Sequence, residues 1–589
     1  MSHQAKPEEP PEGVEKAVQW RALLRSFMQK GKPVVDTFAR VWDLLDQVSS
    51  PLGEYVKSCK GHRVPPDVTV QNSRGNDLLP LSPLVMDRFT AVPEALRSAM
   101  KLSLVVLNFL AMGGRYNQSR DVPPPQKLSE GQEMMLSHIK ERLSDLAAEE
   151  KLCPPVSEAD LVLGKARFDY AGEPVMILED LVAEKVIPVW PKVGEAAIQP
   201  VLPYLPDELA EMIEDPKNCL LPTWEWPEKP TRSRVRASQE EWNKIVQAGY
   251  ERGLMVPMED DQVFRDSSGQ KVLNGAGGVK KLKQIGGEEK TMQRFISNFI
   301  PINQYLAHLS GGDQFLPYLG QLTLMGLEDD ENLLIDSEDF CSCFNLFTLP
   351  ASWRGLMCFG MMVDAKFMGG TAGHMVYPAM AVVPMGWINA VTVIQSVVRS
   401  LVFQGAQVPE ASEVAKIKQM PDTDDFTVIY LDSYDELRKL DAQWAEVLEG
   451  KPSARHVKFQ EVCQEKGLPL NQAKRLVGAT RGTLQGGLLD GKKGWYKLAP
   501  DKQVDLISLC LGLVTAPKWR EFQLRHVIGK ATFGMCFRRP LLSIFQEIFV
   551  DLQKLTQVDE VTPGEGAIDE LFMVVAMVPF MGSCVRQLG

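Results

Sequence analysis

Between residues 17 and 48 the apolar side chains Val18, Leu23, Leu24, Phe27, Val34, Val35, Phe38, Val41, Leu44 and Leu45 return every three or four positions. That period predicts one or two helices with a single apolar face. A basic, polar connector follows over 57–76, and residues 84–112 and 128–152 predict two more helices. Pro123-Pro124-Pro125 separates them, because no helix runs through three prolines. Residues 1–15, rich in proline and glutamate, predict disorder. Over 153–237 prolines are frequent, acidic segments such as 207–215 recur, and Trp190, Trp224 and Trp226 stand out as aromatic anchors pinning long loops, with peptide binding as the alternative. Ser238, followed three residues later by Glu241, predicts a helix start with a capping box. Asp266-Ser267-Ser268-Gly269-Gln270 has the composition of a hairpin turn.

The chemistry gathers in the middle of the chain, where two short apolar runs end in carboxylates. The run beginning at Leu333 is apolar until it reaches Asp336, Glu338 and Asp339. A second run, Thr427-Val428-Ile429-Tyr430-Leu431, is β-branched and aromatic and delivers Asp432, with Asp435 three residues on. Two strand ends side by side, each with a carboxylate, would hold a divalent cation. The competing reading makes each aspartate a helix cap or a surface charge. Methionines over 355–368 read as pliable core, and residues 403–425 as a polar, acidic surface loop. Gly275, Gly277 and Gly278 lack the spacing of a phosphate loop.

Between those two runs lies Val382-Val383-Pro384-Met385-Gly386-Trp387-Ile388-Asn389-Ala390-Val391-Thr392-Val393-Ile394-Gln395. It resembles the reverse transcriptase pattern LPQGWKNSPTxFQ, with Pro384, Gly386, Trp387, Asn389, Thr392 and Gln395 in register. The resemblance, closest to the DIRS and gypsy-like retroelement groups, implies an α+β right-hand polymerase domain: fingers, an antiparallel palm sheet and a thumb, preceded by a mainly helical N-terminal region. On it Asp339 is the first metal-binding aspartate, and Phe344 is the aromatic that screens the 2′-hydroxyl of an incoming nucleotide. Tyr430-Leu431-Asp432-Ser433 matches the YxDD box with its last position changed. Lys280, Lys281 and Arg294 lie over the triphosphate, joined at the nucleotide by Gly386, Gln395 and Tyr430. The stretch 459–474 resembles the segment that follows the active-site hairpin in this family, making Lys474 a proton donor or triphosphate contact. Weaker matches continue in order to about residue 545.

The resemblance further implies RNA-directed DNA polymerase activity, Mg²⁺ or Mn²⁺ on Asp339 and Asp432, a template–primer of RNA or DNA, and dNTPs. Domains would run 1–152 helical, 153–237 connector, 238–330 fingers-like, 331–480 palm-like, 481–545 palm end and thumb-like, and 546–589 a helical tail. Two departures matter. Ser433 replaces the third carboxylate, and Met385 replaces a glutamine near the templating base; both favour the alternative of a weakened or inactive nucleic-acid-binding descendant. Asp435 is a possible substitute ligand for Ser433 if the strand continues, and Asp336 is an alternative to Asp339. A gag-like assembly module is disfavoured by the ordered series of motifs.

Composition changes the picture little. The 589 residues allow several domains with full cores. The net charge of −12 opposes a wholesale nucleic-acid coat, yet residues 451–540 carry 17 Lys+Arg against 6 Asp+Glu, which predicts a local polyanion surface. The ten cysteines are scattered, with no CxxC pair, predicting neither zinc nor a disulfide framework. No signal peptide or long apolar span is evident, so a soluble intracellular protein, cytoplasmic or nuclear, is expected. Too few residues follow the thumb-like stretch for an RNase H, protease or integrase.

Overall fold

The computed structural model describes residues 12–61, 63–64, 70–72, 75–114, 120–121, 127–153, 178–285 and 288–586. It is a mixed α and β protein whose chain divides into two compact units. One unit comprises Met1–Ala171, Gly486–Leu488 and Trp495–Cys584; the other comprises Gly172–Gln485, Leu489–Gly494 and Val585–Gly589. The basic stretch 451–540 is therefore shared between the two units. Many of its cations are also matched by acids of their own unit, such as Lys492 by Glu449 (3.0 Å) and Arg520 by Glu560 (2.7 Å). Among the described residues no helix is long and apolar enough to cross a membrane.

In the first unit the periodic stretch becomes two helices, α1 (Glu12–Met28) and α2 (Val34–Leu45). Gly31, at φ 58, and Pro33 end one and begin the other. The helix starts within the segment expected to be disordered; residues 1–11 and the Pro123 stretch lie outside the described residues. A further helix, α3 (Pro51–Lys60), enters the expected polar connector. Ser50 caps it by accepting from Gly53 N at 3.1 Å, Pro51 suits its first turn, and Leu52, Tyr55, Val56 and Cys59 bury its other face. The helices α4 (Glu94–Ala111) and α5 (Glu130–Glu150) follow, the latter with a full Ser129/Gln132 capping box. Four C-terminal helices, Pro500–Thr515, Glu521–Met535, Glu547–Leu555 and Glu565–Met577, complete this unit. The last is buried from Ala567 to Met577, its two acids Asp569 and Glu570 included.

That central helix carries Asp569, 3 % exposed, which accepts hydrogen bonds from Ser50 Oγ (2.5 Å) and Leu52 N (2.9 Å). Burial pushes its carboxyl up to about 7, against the lowering pull of those two donors. Below pH ~4 the carboxyl is protonated in both folded and unfolded chains. As pH rises from ~4 to ~7 only the unfolded chain releases the proton, so stability falls across that window and stays lower above it. Asp569→Asn, whose amide can donate to Ser50 and whose carbonyl can accept from Leu52, is expected to flatten the fall. Thermal unfolding of the two proteins between pH 4.5 and 7.5 measures it; parallel curves would mean that Asp569 does not titrate there.

In the second unit, after the short helices Ala183–Val186 and Asp207–Glu214, comes α6 (Gln239–Glu251). Ser238 caps it through Glu241 N at 3.2 Å, but the expected return bond of the capping box is not made. Glu241 instead accepts from Ala183 N at 2.6 Å and pairs with Lys244. Its carboxyl is held low first by that Ala183 N–H. Two of the three tryptophans do pin loops. Trp190 meets Phe295 edge-on at 5.4 Å, and Trp226 meets Tyr305 at 5.2 Å. Trp224 is 83 % exposed and anchors nothing. The turn Asp266–Gln270 closes as expected, with Asp266 Oδ1 accepting from Ser268 N and Gln270 N, both at 2.9 Å. A long hairpin, β1 (Gly275–Ile285) and β2 (Glu288–Asn298), follows.

The sheet that positions the site has five strands in the order β4-β5-β6-β3-β7: β3 is Glu331–Asp339, β4 Glu413–Val414, β5 Asp425–Tyr430, β6 Ser433–Asp441 and β7 Leu476–Ala479. All neighbours are antiparallel except β4 and β5. The short edge strand β4 corrects the reading of 403–425 as a plain surface loop. Glu413 has its side chain fully buried and is held by Arg399 (2.6 Å) and Lys418 (2.6 Å), so this segment closes the sheet edge. Helices α7 (Ala390–Ser400) and α8 (Ala454–Glu465) complete the frame. On α8, Phe459 packs against Tyr434 of β6 at 4.7 Å between ring centres.

Candidate functional site

β3 delivers Asp339 and then leaves the ladder, and three backbone bonds gather other segments at its end. Phe340 N donates to Asp432 O (2.8 Å), Cys341 N to Pro469 O (2.9 Å), and Asn471 N to Asp339 O (2.7 Å). Ser433 stands directly opposite Asp339 in the ladder. Side chains alternate along a strand, so Ser337 and Asp339 share one face with Ser433 and Asp435. Asp336 and Glu338 lie on the other with Tyr434, Glu436 and Arg438. Alternation therefore decides between Asp336 and Asp339. Asp336 is fully buried on the far face, bonded to Arg438 Nη2 and to Gly478 N at 2.8 Å each.

Asp432 sits in the two-residue turn Leu431–Asp432 joining β5 to β6, where Tyr430 faces Ser433. Leu431 is held at φ 53, a conformation that disfavours a branched side chain by about 1–2 kcal/mol. What holds it is Gln395 of α7, fully buried: its Nε2 donates to Ile429 O (2.9 Å) and its Oε1 accepts from Leu431 N (2.8 Å). Both ends of the Gln395 amide are thus engaged by the backbone of the turn. The structure makes it the clamp of the carboxylate-bearing turn.

Burial raises the carboxyl of Asp432, and the neighbouring Asp339 raises it further, while Lys474 and Arg294 favour its charge. Lys474 is 66 % exposed and its ammonium bonds Asp339 Oδ2. Thus Asp339, Asp432, Lys474 and Arg294 are brought together. Asp435, although on the face of Ser433, is no substitute ligand. It is fully enclosed, hydrogen-bonded by Ser337 Oγ, and burial pushes its carboxyl up to about 7. Sequence reasoning missed Ser337; counting back two residues from Asp339 along the strand would have found it. Buried Cys343 lies beside both aspartates, its thiol pushed well up by burial first and by their charges next.

The remaining expected contacts are spread more widely. Register places Arg294 opposite Val279 and Lys281 opposite Met292, so Arg294 and Lys281 share a hairpin face. Lys280 lies on the other, beside Gln293, and pairs with Glu179 at 3.1 Å. The two adjacent lysines thus cannot both reach one triphosphate from a regular strand. Phe344 is half-buried against the core, and Tyr430 is 40 % exposed. Gly386 has φ 100, and a Cβ there would stand 2.6 Å from Ser297 O. Its carbonyl accepts from Asn303 Nδ2 at 2.8 Å. Trp387 packs on Trp353, ring centres 4.8 Å apart. Asn389 and Thr392 are likewise consumed by the backbone at Ala307 and Leu309. Of the motif's polar residues, Gln395 brackets the turn, whereas Asn389 and Thr392 bracket the segment 307–309.

A donor set of Asp339 and Asp432 would suit one hard divalent cation, which prefers oxygen ligands. It does not supply a second ion's ligand, since Ser433 is neutral and Asp435 is enclosed. Among the described residues no three His, Cys, Asp or Glu side chains gather as a cage.

No protein-family model matches the chain, and no curated protein matches it. Among solved structures it is similar to a foamy viral protease-reverse transcriptase in complex with double-stranded DNA. That similarity is at 11 % identity and a TM-score of 0.38, over 70 % of this chain and 62 % of that one, less than two thirds of its length.

Proposed function

We propose that the second unit is a retroelement-type reverse transcriptase palm, working on a nucleic-acid template–primer with dNTPs. The observation that carries this reading is the convergence of Asp339 and Asp432, distant in sequence, on the ends of paired strands, with Lys474 and Arg294 beside them. In this reading the hairpin β1–β2 belongs to the fingers and α8 backs the palm. A divalent ion bound by the two aspartates supplies charge neutralisation and activation of the attacking hydroxyl. Arg294 and Lys281 would meet the triphosphate, whose charge they offset, and Phe344 would stand at the sugar.

A second reading, a weakened or retired enzyme that still binds duplex, is favoured by one specific arrangement. The third ligand position is a serine, and the nearest carboxylate, Asp435, is enclosed. Primer extension on RNA and DNA templates with Mg²⁺ or Mn²⁺ separates the two. A living polymerase extends the primer, and Asp339→Asn and Asp432→Asn each lower the rate by at least about a hundredfold, on the order of 3 kcal/mol in the barrier. Hybrid duplex bound without extension by the wild-type chain selects the second reading. Neither binding nor extension removes both.

A further inference from the structure

The charges at the site balance without any added ion: Asp339 and Asp432 face the ammonium of Lys474, with Arg294 close to Asp432. Lys474 is not a wandering surface residue. Its turn is fixed to the end of β3 by Asn471 N on Asp339 O (2.7 Å) and by Cys341 N on Pro469 O (2.9 Å), and Phe340 bridges Leu470. The turn itself closes through Lys474 N on Asn471 O (3.1 Å). The backbone thus delivers the lysine to the oxygen that a cation would otherwise take, while Ser433 withholds the third carboxylate that would strengthen a divalent cation's hold against it.

We propose that Lys474 is the built-in counter-ion of the Asp339–Asp432 pair, and that a divalent cation enters only by displacing its ammonium from Asp339. The proposal rests on the metal-site reading above and adds a competition to it. At close range a unit positive charge on one of the two ligands opposes a divalent ion strongly, even where solvent screens it. The displaced ammonium, on an exposed side chain, is then available to an anion such as a phosphate. Removing the charge should open the site, and keeping a cation of another shape should leave it closed.

The test is Mn²⁺ binding to the full-length protein, followed by the electron paramagnetic resonance signal of the unbound ion. It compares wild type, Lys474→Met, Lys474→Arg, Asp339→Asn and the double variant Lys474→Met/Asp339→Asn, each checked for a wild-type circular dichroism spectrum. Lys474→Met is expected to bind Mn²⁺ at least about tenfold more tightly than wild type. Lys474→Arg should stay within about threefold of wild type, and the double variant should lose the gain. Equal binding by wild type and Lys474→Met, abolished in both by Asp339→Asn, would overturn the counter-ion role while leaving the metal site standing. Binding to none of them, or binding indifferent to Asp339, would remove the metal site itself and the proposal with it.

Discussion

Arg438→Met is expected to destabilise the second unit by about 3–5 kcal/mol, the loss typical when one partner of a buried ion pair is removed. Arg438 lies on β6 with only 9 % of its side chain exposed, and Asp336 opposite is fully enclosed. One guanidinium nitrogen donates to Asp336 Oδ2 at 2.8 Å and to Lys451 O at 3.1 Å. The other Asp336 oxygen accepts from Gly478 N, at the irregularity where β7 changes register along β3. Methionine fills most of the volume but leaves a buried carboxylate with a single N–H donor. Glu436, directly across the ladder from Asp336, adds a repelling neighbour. Its own carboxyl is already raised, by burial first, with Asp336 contributing. Urea unfolding of the full chain, read by tryptophan fluorescence, measures the loss. Adding Asp336→Asn to Arg438→Met should restore more than half of it, because the amide keeps an oxygen for Gly478 N and carries no charge. A loss below ~1 kcal/mol in the single variant would mean that water or a relaxed β7 solvates Asp336.

Those far-face charges mark where sequence stopped being informative. Sequence carries the strand past Ser433 only conditionally and only as far as Asp435, yet 433–441 is a nine-residue strand buried from Tyr434 to Arg438. Its carboxylates and guanidinium are enclosed because they meet partners outside the strand: Asp336, Ser453 and Ser337. Hydrophobic periodicity reports burial only when burial is apolar, so it could not see this strand. For the same reason Glu413 passed as part of a loop, its partner Arg399 lying on α7. The helices α1, α2, α4 and α5 were legible because each buries an apolar stripe. Asp339 and Asp432 stood out as the ends of apolar runs and through the resemblance, but that the two runs end side by side comes from the ladder between β3 and β6. Which helices share a core was not legible, because the buried helix Glu565–Met577 carries no amphipathic pattern to say which face meets which neighbour.

The resemblance placed Gln395 at a nucleotide, and the geometry instead predicts what its loss would do. Gln395→Met keeps length and bulk but removes both halves of the clamp, leaving Ile429 O and Leu431 N unpaired next to a fully buried side chain. Each orphaned backbone group costs about 1–3 kcal/mol, and Leu431 at φ 53 loses the bond that holds it in a disfavoured conformation. The relief available to the chain is local, namely opening of the turn between β5 and β6, so the expected effect is concentrated there. Amide hydrogen exchange over residues 429–433 should rise by at least about tenfold, while β3, paired with the rest of β6, keeps its protection. Because Asp432 rides on this turn, Mn²⁺ affinity should fall in the same variant, whereas a nucleotide contact by Gln395 would leave both exchange and metal affinity unchanged. Gln395→Glu gives a finer cut: it still accepts from Leu431 N, cannot donate to Ile429 O, and adds a buried charge behind Asp432. Exchange at Leu431 in that variant should stay closer to wild type than at the other turn residues, a pattern that a general loosening of α7 would not produce.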